Sequence, residues 1–436
     1  MKLTENDGAR AVPRDSFGFV IDPVVSFARG NIIRSSTDEG RRLRHGQAVA
    51  ARRVNERGAD SIGIFTGNQR DFLVTPEDLN TTCEEWVGPG LVAERLTNLA
   101  LEHLGGGAGD AVAIFNRTSA AIVSVIAALA AEKPVVSVVP PGGRSHASVN
   151  RGAKLAGVKA IEIQGDAQWR AAIELNRPAL VVVTTVTSSL ERMDDEITQA
   201  IVNHCRKAGI IVFLDEAYGA RLRTVLHGGI QSLKFGADLT VTNCDKAGLP
   251  GPRAGILAGK KSYIAAAAAK GAEYGMEARA PINAGVVRSL EHYDPAHLRQ
   301  EAEAGQALAA GLRALLGDCV KTSDLGPMVH EDQVLEIILK RAGIVHSDNH
   351  IVPSEATAAL GMILLRDHGI LTVNTHGQPG ARVSLRLKPA SNAIERVGGS
   401  DAIMRAVDAS INQVAAIIGD HHAMAELILG EAVWAR

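Results

Sequence analysis

The chain has 436 residues, room for one large two-domain subunit or two to three small domains with a sizeable core. A net charge of −2 with 3% aromatic residues gives no global field to attract nucleic acid and few rings for single-stranded bases to stack on. Four cysteines (Cys83, Cys205, Cys244, Cys319) lack metal-ligand spacing, which argues against a disulfide framework and fits a reducing compartment.

Residues 1–14 lack the apolar core of a signal peptide, and later apolar runs are broken by charge or glycine before they reach about 18 residues. The expected location is the cytoplasm, with no membrane. Residues 1–60 carry Arg41, Arg42, Arg44, Arg52, Arg53 and Arg57 in a helical stretch beside Asp38, Glu39 and Glu56. Mixed charge of this kind reads as a solvated helix face rather than an RNA contact. After the helix GPGLVAERLTNLALEHL, the run GGGAG at 105–109 precedes the strand AVAIFN. A dinucleotide fingerprint would follow a strand and open a helix, so this run is a helix-terminating loop.

Asn116, Arg117, Thr118 and Ser119 do follow that strand and open the helix AAIVSVIAALAAE. Free N–H groups, two hydroxyls and a guanidinium at a helix N-terminus suit an anion, and Arg117 favours a phosphate seat over a plain N-cap by Asn116 or Thr118. The strand PVVSVVP leads through PGGR to His146, and VKAIEI, ALVVVTT and the helix EITQAIVNHCRKAG continue a β/α alternation. That alternation predicts an α/β fold with a mostly parallel sheet and helices on both faces. Thr185, Thr187 and Ser188 end one strand, where they can bond a ligand or cap a turn.

Two apolar runs, IIVFLD and ADLTVTN, deliver Asp215 at one end and, just past the other, Lys246, a spacing of 31 residues (215 to 246). Open α/β sheets place ligand chemistry at these C-terminal strand ends. The chemical reading is pyridoxal phosphate: Lys246 would hold it as a Schiff base, and Asp215 would keep its ring nitrogen protonated so that the ring accepts electrons from a substrate carbanion. Asn243 or Thr242 could add a phosphate hydrogen bond. Lys260 and Lys261 look like exposed turn residues.

The segment NCDKAGLPGPRAGILAGKK resembles the lysine loop of bacterial selenocysteine synthase, a fold-type I pyridoxal phosphate enzyme. NRTSAAI at 116–122 and SHASV at 145–149 resemble a related family of uncharacterised pyridoxal phosphate proteins known from archaea. The resemblance covers roughly residues 60 to 300 and implies a large domain with a seven-stranded type of sheet and a smaller C-terminal α+β domain. The expected division is 1–60 as a lead-in arm that wraps a partner subunit, 61–290 as the cofactor domain and 291–436 as the small domain. It also implies that His146 stacks on the cofactor ring, that Ala217 packs under its other face and that Arg279 reaches cofactor or substrate across a subunit interface. Arg382 would grip a substrate α-carboxylate, and in the strand RVSLR Arg386 lies on the same face. Thr187 joins the substrate set.

The full helical tRNA-binding N-terminal domain of selenocysteine synthase is not evident in the sequence of residues 1–60. The expected substrate is therefore a small amino acid or an amino-acid-derived molecule, and nucleic acid is not an expected partner. A homodimer or higher homo-oligomer is. Elimination or replacement at the β or γ carbon is the expected reaction, with an aminotransferase, a seryl-tRNA selenium transferase-like activity or a non-enzymatic cofactor carrier as alternatives.

Overall fold

The computed structural model describes residues 13–22, 25, 27–69, 71–165, 168–346, 349–377, 381, 383–390 and 392–430. Seven strands form the central sheet: β1 (Asp110–Phe115), β2 (Val135–Val139), β3 (Ala160–Gln164), β4 (Leu180–Thr184), β5 (Ile211–Asp215), β6 (Leu239–Asn243) and β7 (Gly255–Lys260), in the order β1-β7-β6-β5-β4-β2-β3. β7 runs antiparallel to both β1 and β6, and the other pairs are parallel.

The inner strands are near-continuous apolar runs because both faces of the sheet are covered. Alternation divides each strand between two cores. Leu180, Val182 and Phe213 face the helices Thr118–Leu129, Ala147–Leu155 and Lys261–Glu273. Val181, Val183, Val212 and Leu214 face Trp169, Ile173, Ile201 and Cys205 on the other side. This is the α/β fold expected from the strand and helix alternation. Gly105, in the left-handed conformation at φ 76°, ends the helix Gly88–Leu104 as the GGGAG run predicts.

The C-terminal unit is built on the helices Pro295–Leu316, Glu331–Ala342, Pro353–His368 and Ser400–Ile417 and a three-stranded sheet of Val320–Ser323, Gly326–Val329 and Leu385–Arg386. Ile32, Ile33 and Phe65 belong to its core. Buried Glu355 accepts the Ile32 and Ile33 N–H groups at 2.6 and 2.8 Å, so the described part of the expected arm is stapled onto its own chain. The first helix, Ser36–Arg57, is only partly the solvated face that its charges suggest. Arg42 is buried and donates to the Gly377 carbonyl at 2.7 Å, because the helix is packed against Pro353–His368 and the segment before Gly377. The run ILTVN at 370–374, whose β-branched residues predict a short strand, divides instead: Ile370–Leu371 pairs with Gly63–Ile64, and Val373–His376 turns into helix.

Two buried arginines on the helix Gly219–His227 tie the sheet to what lies above it. Arg223 bonds Glu216 at 2.5 Å and Asp195 at 2.9 Å, and Glu216 also accepts from the Thr185 hydroxyl at 2.9 Å. Gly219 is required at this turn, since a β-carbon would overlap the Glu216 carboxylate and Thr185 Oγ1. Removing one partner of a buried pair strands the other charge, so Arg223→Met should lower unfolding free energy by about 3–5 kcal/mol in urea titrations. The double change Arg223→Met with Glu216→Gln should regain a large part of that loss; a single variant as stable as the parent would show that the pair holds nothing.

Candidate active site

A cavity of about 650 Å³ opens at the C-terminal strand ends, between the sheet and the C-terminal unit. β5 brings Asp215 to its wall, and the loop after β6 brings Lys246. Asp215 is buried, and Oδ1 accepts the Ala217 N–H at 3.2 Å. Burial pushes its carboxyl up to about 6, against the opposing pull of that hydrogen bond and of Lys246.

Lys246 sits in a loop whose shape is fixed by Arg221. That fully buried guanidinium donates Nε to the carbonyls of Lys246 and Ala247, both at 3.2 Å, Nη1 to Thr242 Oγ1 at 3.2 Å and Nη2 to Asn243 Oδ1 at 2.7 Å. Ala247 is held at φ 51°, a left-handed conformation that costs an alanine roughly 1 kcal/mol or more. The His103 ring lies 3.2 Å from Arg221 Nη1, and burial followed by that guanidinium pushes it down to about 3, so it stays neutral and accepts. Asn68 on the facing segment pairs with Lys246 in a short antiparallel bridge, and the Gln69 N–H donates to the Asp245 carbonyl at 3.1 Å.

The expected phosphate seat is on the same wall. Arg117, in extended backbone, is the N-cap residue of the helix Thr118–Leu129, and Arg117, Thr118 and Ser119 all line the cavity. His146 lines it too. Its Nδ1 faces the Ser148 N–H and hydroxyl at 3.2 and 2.6 Å, and burial, then Lys246, Arg117, Arg151 and Arg253, push it down to about 3. A neutral imidazole is the form suited to lie against an aromatic ring in so basic a pocket. Ala217 and Thr187 are wall residues as expected, and the Thr187 hydroxyl donates to the Glu191 carboxylate.

One expectation is placed differently, and two are not tested by the geometry. Asn243 is buried with both ends of its amide engaged, Oδ1 by Arg221 and Nδ2 by the Ala217 carbonyl, so it latches the lysine loop to the β5 end rather than offering a phosphate bond. Arg279 is a largely exposed N-cap residue of Ala280–Glu291, paired with Glu85 at 3.1 Å, and a reach into a second subunit's site stays a proposal. Arg382 lies outside the described residues. Arg386 lines the cavity wall: it is buried, with Nε 2.9 Å from Ser384 Oγ, Nη2 2.9 Å from Ser189 Oγ and Nη1 bonded to the Ser188 carbonyl.

Sequence reasoning missed Arg221, Tyr218, Arg253 and Lys388. Arg253, seven residues past Lys246 in the proline and glycine loop, carried a readable signal as a further cation near the phosphate seat. Arg221 and Lys388 carried none, since a lone basic residue in a helix or strand reads as surface.

The residues present fit pyridoxal phosphate. A lysine amine, a buried carboxylate and a basic helix N-terminus share one cavity, and Thr184 Oγ1 on its wall has no hydrogen-bond partner among the described residues. Lys246 would bond the aldehyde carbon, Asp215 the ring nitrogen, and Arg117, Thr118 and Ser119 the phosphate. Among the described residues, no group of His, Cys, Asp and Glu could hold a metal ion, and no helix is long and apolar enough to cross a membrane.

Two measurements test this geometry. Arg221→Met should strand the Lys246 and Ala247 carbonyls and weaken pyridoxal phosphate binding by roughly tenfold or more, together with a loss of stability of about 3 kcal/mol; unchanged cofactor affinity would show that Arg221 does not shape the lysine loop for the cofactor. Asp215 in the folded, cofactor-free chain keeps its proton up to about 6, whereas an unfolded carboxyl loses it near 3.8. The folded state thus holds the extra proton between these values, and its stability falls as pH rises through them. Cofactor-free Asp215→Asn should therefore be more stable than the parent near pH 7, and the gain should vanish near pH 4, in urea titrations at both.

Comparison with known proteins agrees with the geometry. The family described as "Aminotransferase class I and II" matches residues 88–392. A UPF0425 pyridoxal phosphate-dependent protein of Methanothermobacter thermautotrophicus is 32% identical over 399 residues, covering 92% of this chain and all of that one. A second, from Methanococcus maripaludis, is 30% identical over 357 residues, covering 82% and 94%. Among solved structures, the histidinol-phosphate aminotransferase of Clostridium acetobutylicum superposes with a TM-score of 0.54 at 12% identity, covering 81% of this chain and 100% of that one. A protein of Listeria monocytogenes, described in its structure as an L-allo-threonine aldolase, gives 0.52 at 14% identity, covering 84% and 92%. The two superpositions share the fold-type I architecture. With a full-length relative at 32% identity, the chain belongs to the class I and II aminotransferase family, alongside the UPF0425 pyridoxal phosphate-dependent proteins, and pyridoxal phosphate is its cofactor.

Proposed function

We propose that the chain is an enzyme acting on a small amino acid, or an amino-acid-derived molecule with a free α-carboxylate, by elimination or replacement at the β or γ carbon. The observation that carries this reading is the convergence of Lys246, Asp215 and Arg386 on one cavity, since a mere carrier of the cofactor would have no use for a buried arginine facing it. Pyridoxal phosphate supplies an electron sink for a bond broken at the substrate's α-carbon. Arg386 would orient the substrate by its carboxylate, with a planar fork already held by serine oxygens. The Lys246 amine, on the wall of the cavity, would carry the substrate's α-proton. Asp215 would hold the proton of the ring nitrogen, the state for which its raised carboxyl and buried setting are suited.

Elimination is put ahead of transamination because a leaving group needs a proton donor besides Lys246, and the Tyr218 hydroxyl stands on the cavity wall for that task. The runner-up is an aminotransferase, supported by the family match over residues 88–392. A transfer reaction on seryl-tRNA ranks below both: the net charge of −2 offers no field for a polyanion. The cavity's position between sheet and C-terminal unit suits a small molecule.

Incubating the cofactor-loaded protein with a panel of amino acids separates the readings. Release of ammonia and a 2-oxo acid with the cofactor unchanged supports elimination; conversion of the cofactor to its amine form supports transamination; no change with any amino acid contradicts both. Arg386→Lys keeps the charge and loses the fork, so it should weaken binding of the reactive amino acid by roughly tenfold or more while cofactor affinity shifts little.

A further inference from the structure

Lys388 is the second lysine of the cavity and has no part in the chemistry above. It is buried, and its backbone is fixed, its N–H donating to the Phe65 carbonyl at 3.0 Å and its carbonyl accepting from the Gly67 N–H at 3.2 Å. It lies two residues after Arg386 on an extended segment, so both side chains leave the same face. They also converge: Arg386 Nη1 and Lys388 Nζ approach one acceptor, the Ser188 carbonyl, the latter at 3.4 Å. Nζ is 3.5 Å from the Tyr218 hydroxyl and 4.6 Å from the centre of that ring, and Lys246 Nζ is 4.8 Å from the same centre.

We propose that Arg386 and Lys388 together form the anion seat of this site, the two cations converging on the carboxylate they hold. The inference rests on Arg386 being the substrate-carboxylate residue. Two donors that already meet at one carbonyl oxygen are spaced to meet at one carboxylate. The amine is held well below its ordinary value, first by burial, then by Arg386 and by Lys246, with Glu191 as the opposing charge. The Tyr218 hydroxyl, 3.5 Å from Nζ, is a further titratable neighbour. An arriving carboxylate reverses the balance, because a charge of opposite sign within hydrogen-bond reach favours the ammonium form. The chemical class that fits is a carboxylate, and its binding favours the protonated amine.

Binding is tested on the cofactor-loaded protein with propionate, a carboxylate without an amine, by titrating the visible band of the cofactor at several pH values. The parent's affinity should fall as pH rises, since the proton that Lys388 must gain becomes scarcer. Lys388→Met should bind propionate roughly tenfold or more weakly and lose that pH dependence. Lys388→Arg, charged at every pH used, should retain affinity while its pH dependence flattens. A parent affinity independent of pH, a Lys388→Met affinity equal to the parent's, or no binding of propionate at all would each overturn the proposal. Propionate binding with the expected pattern, combined with inert amino acids, would leave the seat standing and remove the enzymatic reading; amino-acid turnover with pH-independent propionate binding would do the reverse.

Discussion

The site depends on one buried guanidinium. Arg221 is fully buried, so its N–H groups need partners within the protein, and they find two carbonyls of the lysine loop and two side chains at the end of β6. The loop is thereby held in a conformation that includes a left-handed alanine, which an unconstrained chain would leave. Asn243 extends the latch to the Ala217 carbonyl, just past Asp215, so the lysine and the aspartate are set relative to each other by one continuous hydrogen-bond network. The same short helix sends Arg223 into Glu216, fixing the β5 end from the other side.

Charge is distributed unevenly around the cavity. Burial keeps His146 neutral, reinforced by Lys246, Arg117, Arg151 and Arg253 around it, while Asp215 is deep enough that burial outweighs the nearby lysine and raises its carboxyl. Such a wall suits a ligand with a phosphate at one end and a protonated ring nitrogen at the other. Arg386 and Lys388 add a second basic patch, supplied by the C-terminal unit. The proposed cofactor and substrate seats therefore come from different parts of the chain, and the segment Gly63–Ile64 with its continuation to Gln69 bridges the two patches through Lys388 on one side and Asp245 on the other.

The sheet was legible because its strands are buried on both faces and so read as unbroken apolar runs, each ending where β/α chemistry belongs. Lys246, Asp215 and the Arg117 turn were legible for the same reason: each breaks such a run at its C-terminal end. The C-terminal unit was less so. Its strands among the described residues are two to four residues long, too short for an alternating pattern to declare itself, and the run ILTVN divides between strand and helix. Arg42 and Asn243 were misplaced because burial by distant segments, in these cases Gly377 and Arg221, leaves no local mark in sequence. Lys388 was invisible for the same cause, since what makes it unusual is its meeting with Arg386 at a carbonyl nearly 200 residues earlier.

Two lysines face one tyrosine ring in this cavity, so everything assigned to the site turns on which of them holds the cofactor. Reducing the cofactor-loaded protein with borohydride, digesting it and locating the phosphopyridoxyl group by mass spectrometry addresses it directly. The group should be found on the peptide carrying Lys246 alone; its appearance on Lys388, or on neither, would contradict Lys246 as the cofactor lysine.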